Sequence, residues 1–364
     1  MFFSALDQCP EIHLTVHHLW RGSWRRPWKT ELGTGYKNRY MQVFLGVDWQ
    51  LLFSALTQKR TFFFVVDWGH VSTIAIIAAR ILRKYPVGLW ADTPQEHLVR
   101  HPVKKMLRKV LLRWMLSKID AVFGTGKPAL QILQSMGARP DRLVDLPIFV
   151  DLDTPLKVTE EASKRWKAKE YRRLVSCEND GIVFSMFGTL IMEKKGQDIA
   201  IRAFARCRAV GKKIGLLIAG EGPDREELEK MVKDMGLEDC VAFLGWKEPG
   251  DVHALYVATD VVVHPARYDP FPLVVLEGMS FAKTVLGSNT CGSVQERIID
   301  QYNGLVFESG NVDQLADKMI ALVQNPKLLR KLGDNARRTA EKYPVSVGVQ
   351  TILSAASKLI PDDE

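Results

Sequence analysis

Three residues in the second half of the chain have types and spacing that could do chemistry: Lys195, Asp269 and Glu277. The acids stand eight positions apart in Asp269-Pro270-Phe271-Pro272-Leu273-Val274-Val275-Leu276-Glu277. Before them, Val261-Val262-Val263 reads as a buried strand. Pro272 fits the first turn of a helix, where a missing N–H costs nothing. Glu277 then falls inside that helix, and Thr284 to Gly287 reads as the next strand. A loop acid, a helix N-terminus with free N–H groups and a second acid within the helix suit a polyhydroxylated, anionic ligand. The N–H groups would take a phosphate, and each carboxylate can accept two hydroxyl hydrogen bonds. Lys195 follows a predicted strand, Ile182 to Phe187, and a Gly188-Thr189-Leu190 turn, and it precedes Gly196 and a helix over 197–208.

The stretch from His264 to Glu296 resembles the donor-sugar motif of the retaining GT-B glycosyltransferases of family four, which is written as an acid, seven residues and a Glu. The first acid is Asp269, one methylene shorter than the usual Glu. The resemblance runs with good spacing from about Ile182 to Val323, and more loosely back to about Phe62. It implies an α/β chain of two Rossmann-like, doubly wound domains facing each other across a cleft. It also implies a donor site in which Lys195 and helix N–H groups hold a diphosphate, Asp269 the sugar hydroxyls and Glu277 the ribose. Gly188, Thr189, Glu221, Trp246, Pro270, Phe271, Pro272 and Leu273 would complete the donor contacts. Thr189 stands where the family has Arg, so the bidentate fork is missing, and Lys194 and Arg267 are the candidates to compensate. The implied reaction is transfer of a hexose from a nucleoside diphosphate sugar, UDP favoured over GDP. The acceptor would be a saccharide or lipid-linked saccharide in bacterial cell-surface polysaccharide synthesis. The nucleotide sugar is a co-substrate; no cofactor or metal is implied. Asp151-Leu152-Asp153 matches the metal-holding pattern of another glycosyltransferase class, but it lies in a linker and is read as a decoy.

The elements that must position these residues follow from hydrophobic pattern. Continuous apolar runs such as Phe62 to Val66, Pro86 to Trp90 and Ile119 to Phe123 read as strands buried on both faces of a parallel sheet. Their alternation with helices implies right-handed crossovers. With 364 residues the chain is long for one core. The division expected is 1–150 as an acceptor-binding domain, 151–180 as linker and helix, 181–343 as the nucleotide-sugar domain and 344–364 as a helix crossing back to the first. The start departs most from the family. Phe2 to Leu6 reads as the end of a helix and Ile12 to Val16 as a short strand, so the family's first strand and Gly-rich loop are expected to be missing.

Ligands bind at the carboxyl ends of parallel strands, where His70, Asp92, Thr93, Thr125 and Lys127 fall as acceptor-side candidates. Each could equally be a loop residue that caps a helix. Residues 1–150 hold 21 Lys+Arg and 10 Asp+Glu, a net of +11 within a whole-chain +8. The first half is therefore expected to meet an anionic partner. His101 to Lys118 reads as a basic amphipathic helix, with an apolar side at Val103, Met106, Leu107, Val110, Leu111, Trp114 and Met115. Lys104, Lys105, Arg108, Lys109 and Arg113 are its candidate contacts with an anionic membrane. A core helix with a solvated basic face is the alternative. Trp20, Trp24, Arg25, Arg26 and Trp28 form a basic aromatic stretch, but no nucleic-acid motif accompanies it and no nucleic-acid partner is expected. Five scattered cysteines without a Cys-x-x-Cys pair argue against a zinc site or a disulfide framework and for a reducing cytoplasm. No apolar run is long enough to span a bilayer, and no signal peptide is read at the start. The expected location is cytoplasmic, peripheral on the inner face of the membrane. A different class remains open: a non-catalytic GT-B relative that binds a nucleotide sugar or an anionic glycan. An epimerase is a third reading, which these three residues alone do not supply.

Overall fold

Most strands of the two larger sheets form where the apolar runs predict them, in alternation with helices. The computed structural model describes residues 2–18, 36–66, 68–91, 102–178 and 180–360, and of residues 102–105, 107 and 108 the backbone alone. The chain divides into two compact units, Met1–Phe149 with Val345–Glu364, and Val150–Pro344.

Unit 1 contains α1 (Phe2–Asp7), β1 (Thr15–His18), β2 (Lys37–Tyr40), α2 (Trp49–Thr57), β3 (Phe63–Val66), α3 (Val71–Arg83), β4 (Val87–Ala91), α4 (Pro102–Lys118), β5 (Ala121–Gly124), α5 (Gly126–Ser135) and β6 (Leu143–Asp145). Its main sheet is parallel and ordered β3-β4-β5-β6. Strands taken in sequence order with right-handed crossovers put α3, α4 and α5 on one face. Leu51 and Ala55 of α2, Ile76 and Ile77 of α3, and Leu112, Met115 and Leu116 of α4 share one core with Val65, Leu89 and Val122. The opposite face carries Phe123, Ala121 and Leu146, packed with Leu6 and with Val349 and Ile352 of the later helix. β1 and β2 pair in parallel apart from this sheet. The strand expected from Ile12 forms only from Thr15. The polar Lys37-Asn38-Arg39-Tyr40, which has no apolar alternation, becomes its partner, with Arg39 Nε donating to His17 Nδ1 at 2.8 Å.

Unit 2 contains α6 (Asp153–Glu160), α7 (Ala162–Arg173), β7 (Ile182–Phe187), α8 (Met192–Lys195), α9 (Gln197–Arg208), β8 (Ile214–Ala219), α10 (Arg225–Asp234), β9 (Val241–Gly245), α11 (Pro249–Ala258), β10 (Val261–His264), α12 (Leu273–Ser280), β11 (Thr284–Ser288), α13 (Gly292–Arg297), β12 (Leu305–Phe307), α14 (Val312–Gln324) and α15 (Pro326–Ala340); α16 (Val345–Leu359) returns the chain to unit 1. The sheet is parallel and ordered β12-β11-β10-β7-β8-β9. The winding runs outward from β7 through β8 and β9, then restarts at β10 on the other side of β7. That reversal opens a crevice at the carboxyl ends of β7 and β10. α7, in the stretch expected to be linker and helix, buries Ala168 and Tyr171 in a core shared with Leu255 of α11. Its Arg172 donates to Ala258 O and Asp260 Oδ2, both at 2.8 Å. Asp151 accepts from the N–H of Asp153 at 2.9 Å and the hydroxyl of Thr154 at 2.6 Å, closing the turn into α6.

The outer side of the α2–α3–α4 layer is apolar. Phe53 is 68% exposed, directly opposite the buried Leu51 and Ala55, and Trp49 and Leu56 flank it. On α3 the exposed Val71 and Leu82 bracket Ala75 and Ala78. On α4 Met106, Val110, Leu111 and Trp114 are exposed. Of the apolar positions read as that helix's packing side, the five whose side chains are described therefore split, Met115 alone of them being buried. The buried edge is rotated to Leu112, Met115 and Leu116, because apolar residues occupy too much of the helix for spacing to select one edge. None of the three helices contains Asp or Glu.

Candidate active site

Glycine geometry brings the β7 and β10 loops together. Gly196 ends α8 in the left-handed region at φ +67°, and a Cβ there would stand 2.1 Å from Pro265 O. The close approach lets Arg267 N donate to Lys194 O at 2.9 Å. Arg267 also forks onto Asp198, at 2.9 and 2.8 Å, and donates to Met192 O at 2.6 Å. α8 and the start of α9 are thereby tied to the loop that carries Asp269. Arg267 is thus committed within the protein. Burial pushes the Asp198 carboxyl up, but Arg267 outweighs it and holds it below the usual range. Lys194 is exposed.

Lys195, 74 positions from Asp269 in sequence, forms an ion pair with it, Nζ on Oδ2. Burial raises the Asp269 carboxyl, while His264 and Lys195 more than offset this and leave it below the ordinary value. His264, 4% exposed at the end of β10, places Nε2 3.2 Å from the same Oδ2, with the ring turned away from a well-directed hydrogen bond. Sequence reading did not select His264. Its position at the end of an apolar strand was the available signal. A recess at the switch point is lined by Gly188, Lys195, Gln197, His264 and Pro265. Gly188 has φ +136° and open space where a Cβ would stand, so its backbone is approachable. Thr189 O accepts from Gln197 Nε2 at 2.9 Å.

Glu277 lies on α12 and accepts from the Tyr256 hydroxyl at 2.8 Å. Burial pushes its carboxyl up and Tyr256 partly offsets this. Tyr256 is stacked between Phe187 and Phe281, at centroid distances of 4.4 and 5.0 Å. In the loop before α12, Phe271 and Pro272 are buried and Pro270 is half-buried, and Leu273 is exposed at the helix's first position. Gly292, against whose Cβ position Pro270 O would stand at 1.9 Å, fixes that loop from behind. Glu221 pairs with Arg225 at 2.6 Å. Half-buried Trp246 follows β9, whose Gly245 O accepts from Gly220 N at 3.0 Å, so Glu221 and Trp246 lie after adjoining strand ends.

The unit 1 candidates do not converge in the same way. His70 caps α3, its Nδ1 accepting from Ser72 N at 3.2 Å. Thr125 is buried before α5 and accepts from Trp90 Nε1 at 3.0 Å. Lys127 is exposed in the first turn of α5. Lys109 and Arg113 are exposed on α4, while Asp92, Thr93 and the side chains of Lys104, Lys105 and Arg108 lie outside the described residues, as does the 20–28 aromatic stretch. Among the described residues no cluster of three or more His, Cys, Asp or Glu could hold a metal ion, and no helix is long and apolar enough to cross a membrane.

Two Rossmann-like α/β units, one with a cation and two acids at a strand-reversal crevice, define the GT-B class of fold. Residues 169–339 match the family described as Glycosyl transferases group 1, so unit 2 carries that family's domain. The chain is 30% identical over 157 residues to the alpha-D-kanosaminyltransferase of Streptomyces kanamyceticus, covering 43% of this chain and 40% of that one. The chain spans roughly 37–52% of the length of the curated relatives it matches. Among solved structures it resembles Anabaena HepE in complex with UDP, at TM-score 0.70 and 19% identity, over 89% of this chain and 86% of that one. It also resembles sucrose-phosphate synthase from Thermosynechococcus elongatus, at TM-score 0.72 and 18% identity, over 98% and 91%. At these identities the structural likeness establishes the fold.

Proposed function

We propose that the protein is a retaining, metal-independent glycosyltransferase. It moves a hexose from a nucleoside diphosphate sugar to a saccharide or lipid-linked saccharide in bacterial cell-surface polysaccharide synthesis. The observation that carries the reading is the meeting of Lys195 and Asp269 at the switch-point crevice of unit 2, beside the open backbone of Gly188. In this reading Lys195 and nearby N–H groups stabilise charge on the departing diphosphate, the main catalytic contribution. Asp269 orients the sugar hydroxyls and Glu277 the ribose. UDP is the favoured nucleotide, a choice supported by the UDP and UDP-glucose complexes of Anabaena HepE. Unit 1 supplies the acceptor side, with His70, Thr125 and Lys127 its described candidates at the carboxyl ends of the strands.

Unit 1 also docks on the inner face of the cytoplasmic membrane. Support comes from the apolar outer side of α2, α3 and α4, flanked by exposed Lys59, Arg83, Lys109 and Arg113 and free of acids within the helices. Exposed large apolar side chains on neighbouring helices are the kind of feature that marks an interaction surface. A basic rim with exposed Trp and Phe matches an anionic lipid interface.

Calorimetric titration with UDP and then GDP, without added metal, tests the donor site. Micromolar binding of UDP is expected, followed by transfer from a UDP-sugar that persists in a chelator and is lost in Glu277→Ala. Absence of binding to either nucleotide would end the enzyme reading. The commitment of Arg267 to Asp198 favours one alternative, a nucleotide-sugar-binding relative without activity. Tight binding with neither transfer nor hydrolysis would identify it.

A further inference from the structure

Lys195 has two anions to serve. In the structure it neutralises Asp269; in the reading above, on which this inference rests, it must also meet the diphosphate. When the diphosphate draws it away, the carboxylate of Asp269, 8% exposed, loses its strong partner. A buried charge stripped of its counter-ion is costly. We propose that His264 is a positioning residue that takes over Asp269 as Lys195 turns to the diphosphate, accepting a proton as it does so.

The geometry is already prepared for this exchange. Lys195 Nζ and His264 Nε2 converge on the same oxygen, Asp269 Oδ2, the imidazole at 3.2 Å and short of a directed bond by orientation alone. Buried nitrogens of this kind are normally satisfied, and His264 Nε2 gains a directed partner if the ring turns to Asp269. The titratable groups facing it are Asp269 and Lys195. The Cys291 thiol interacts with both, is pushed by burial to about 12 and remains a neutral thiol. Arg267 and Asp198, on the neighbouring loop and helix, already neutralise each other. The proton accepted by His264 comes from solvent, so nucleotide binding draws one in.

The test is calorimetry of UDP binding to the full chain at about pH 8, where the terminal phosphate is already ionised, in two buffers of different ionisation enthalpy. The wild type should show heats that differ between buffers in the sense of proton uptake. His264→Gln keeps an N–H donor but cannot take the proton. It should bind UDP within about threefold of wild type with buffer-independent heat. His264→Phe should weaken UDP roughly tenfold or more, and Asp269→Asn in that background should restore much of the loss by removing the stranded charge. Thermal melts establish that each variant is folded; should His264→Phe fail to fold, the wild-type and Gln comparison decides alone. UDP binding with buffer-independent heat in the wild type overturns the exchange and leaves the donor reading standing, as does full affinity in His264→Phe. Absence of UDP binding in the wild type overturns both.

Discussion

At the scale of residues, Glu277 illustrates how a buried acid of the candidate site is held between opposing influences. Its carboxyl is pushed up by burial, and the Tyr256 hydroxyl works against that push. A group whose folded value lies above its unfolded one loses stability as pH rises from the unfolded value through the folded one. Tyr256→Phe removes the opposing hydrogen bond and raises the carboxyl further. The variant should lose about 1–2 kcal/mol at neutral pH and less near pH ~3, well below the ordinary Glu value of about 4.3, where the acid is largely protonated in both states; urea titrations at the two pH values measure the difference. The pairing of Asp269 with Glu277, and Lys195 before Gly196, were legible because local spacing fixes them on a loop, a helix and a turn. The Arg267–Asp198 fork and the approach of His264 were not. Their partners are set by the Gly196–Pro265 contact, a tertiary event that spacing along the chain does not encode.

At the scale of elements, the buried parallel strands were readable as continuous apolar runs, and most helices as the stretches between them. β2 was not, because Lys37-Asn38-Arg39-Tyr40 has no apolar alternation. The four-residue α8 and six-residue α13 are too short to show a period. On α4 the period was visible but its phase was not, since apolar residues fill both the core edge and the outer edge. That outer edge carries a prediction. Phe53→Asp combined with Val110→Asp places charge on residues 68% and 64% exposed, so the fold should be unaffected. Binding to vesicles containing anionic lipid should fall at least about tenfold, as burial of a Phe and a Val is worth roughly 1.5–3 kcal/mol each. UDP affinity should stay unchanged. Flotation assays with neutral and anionic vesicles separate the apolar and electrostatic parts, and equal flotation of variant and wild type would remove the membrane from the functional reading.

At the scale of the whole molecule, unit 1 is discontinuous. Val349 and Ile352 of α16 complete the sheet face that carries Phe123 and Leu146, and a Cβ at Gly348 would meet the Phe149 ring at 2.2 Å. The chain leaves unit 1 before Val150 and returns after Pro344, and those two crossings are bonded to one another, Val150 N donating to Tyr343 O at 2.9 Å. Removing residues 345–364 should destabilise unit 1 by several kcal/mol, given roughly 1.5–3 for each large apolar side chain uncovered. Unit 2 should keep its melting transition and its nucleotide affinity. Calorimetric melting with and without UDP reads both, because the nucleotide should raise the unit 2 transition alone. The same discontinuity makes unit 1 depend on a segment distant in sequence: until 345–364 docks, the sheet face that carries Phe123 and Leu146 is uncovered, so residues 1–149 cannot complete their own core and folding of unit 1 is a non-local event.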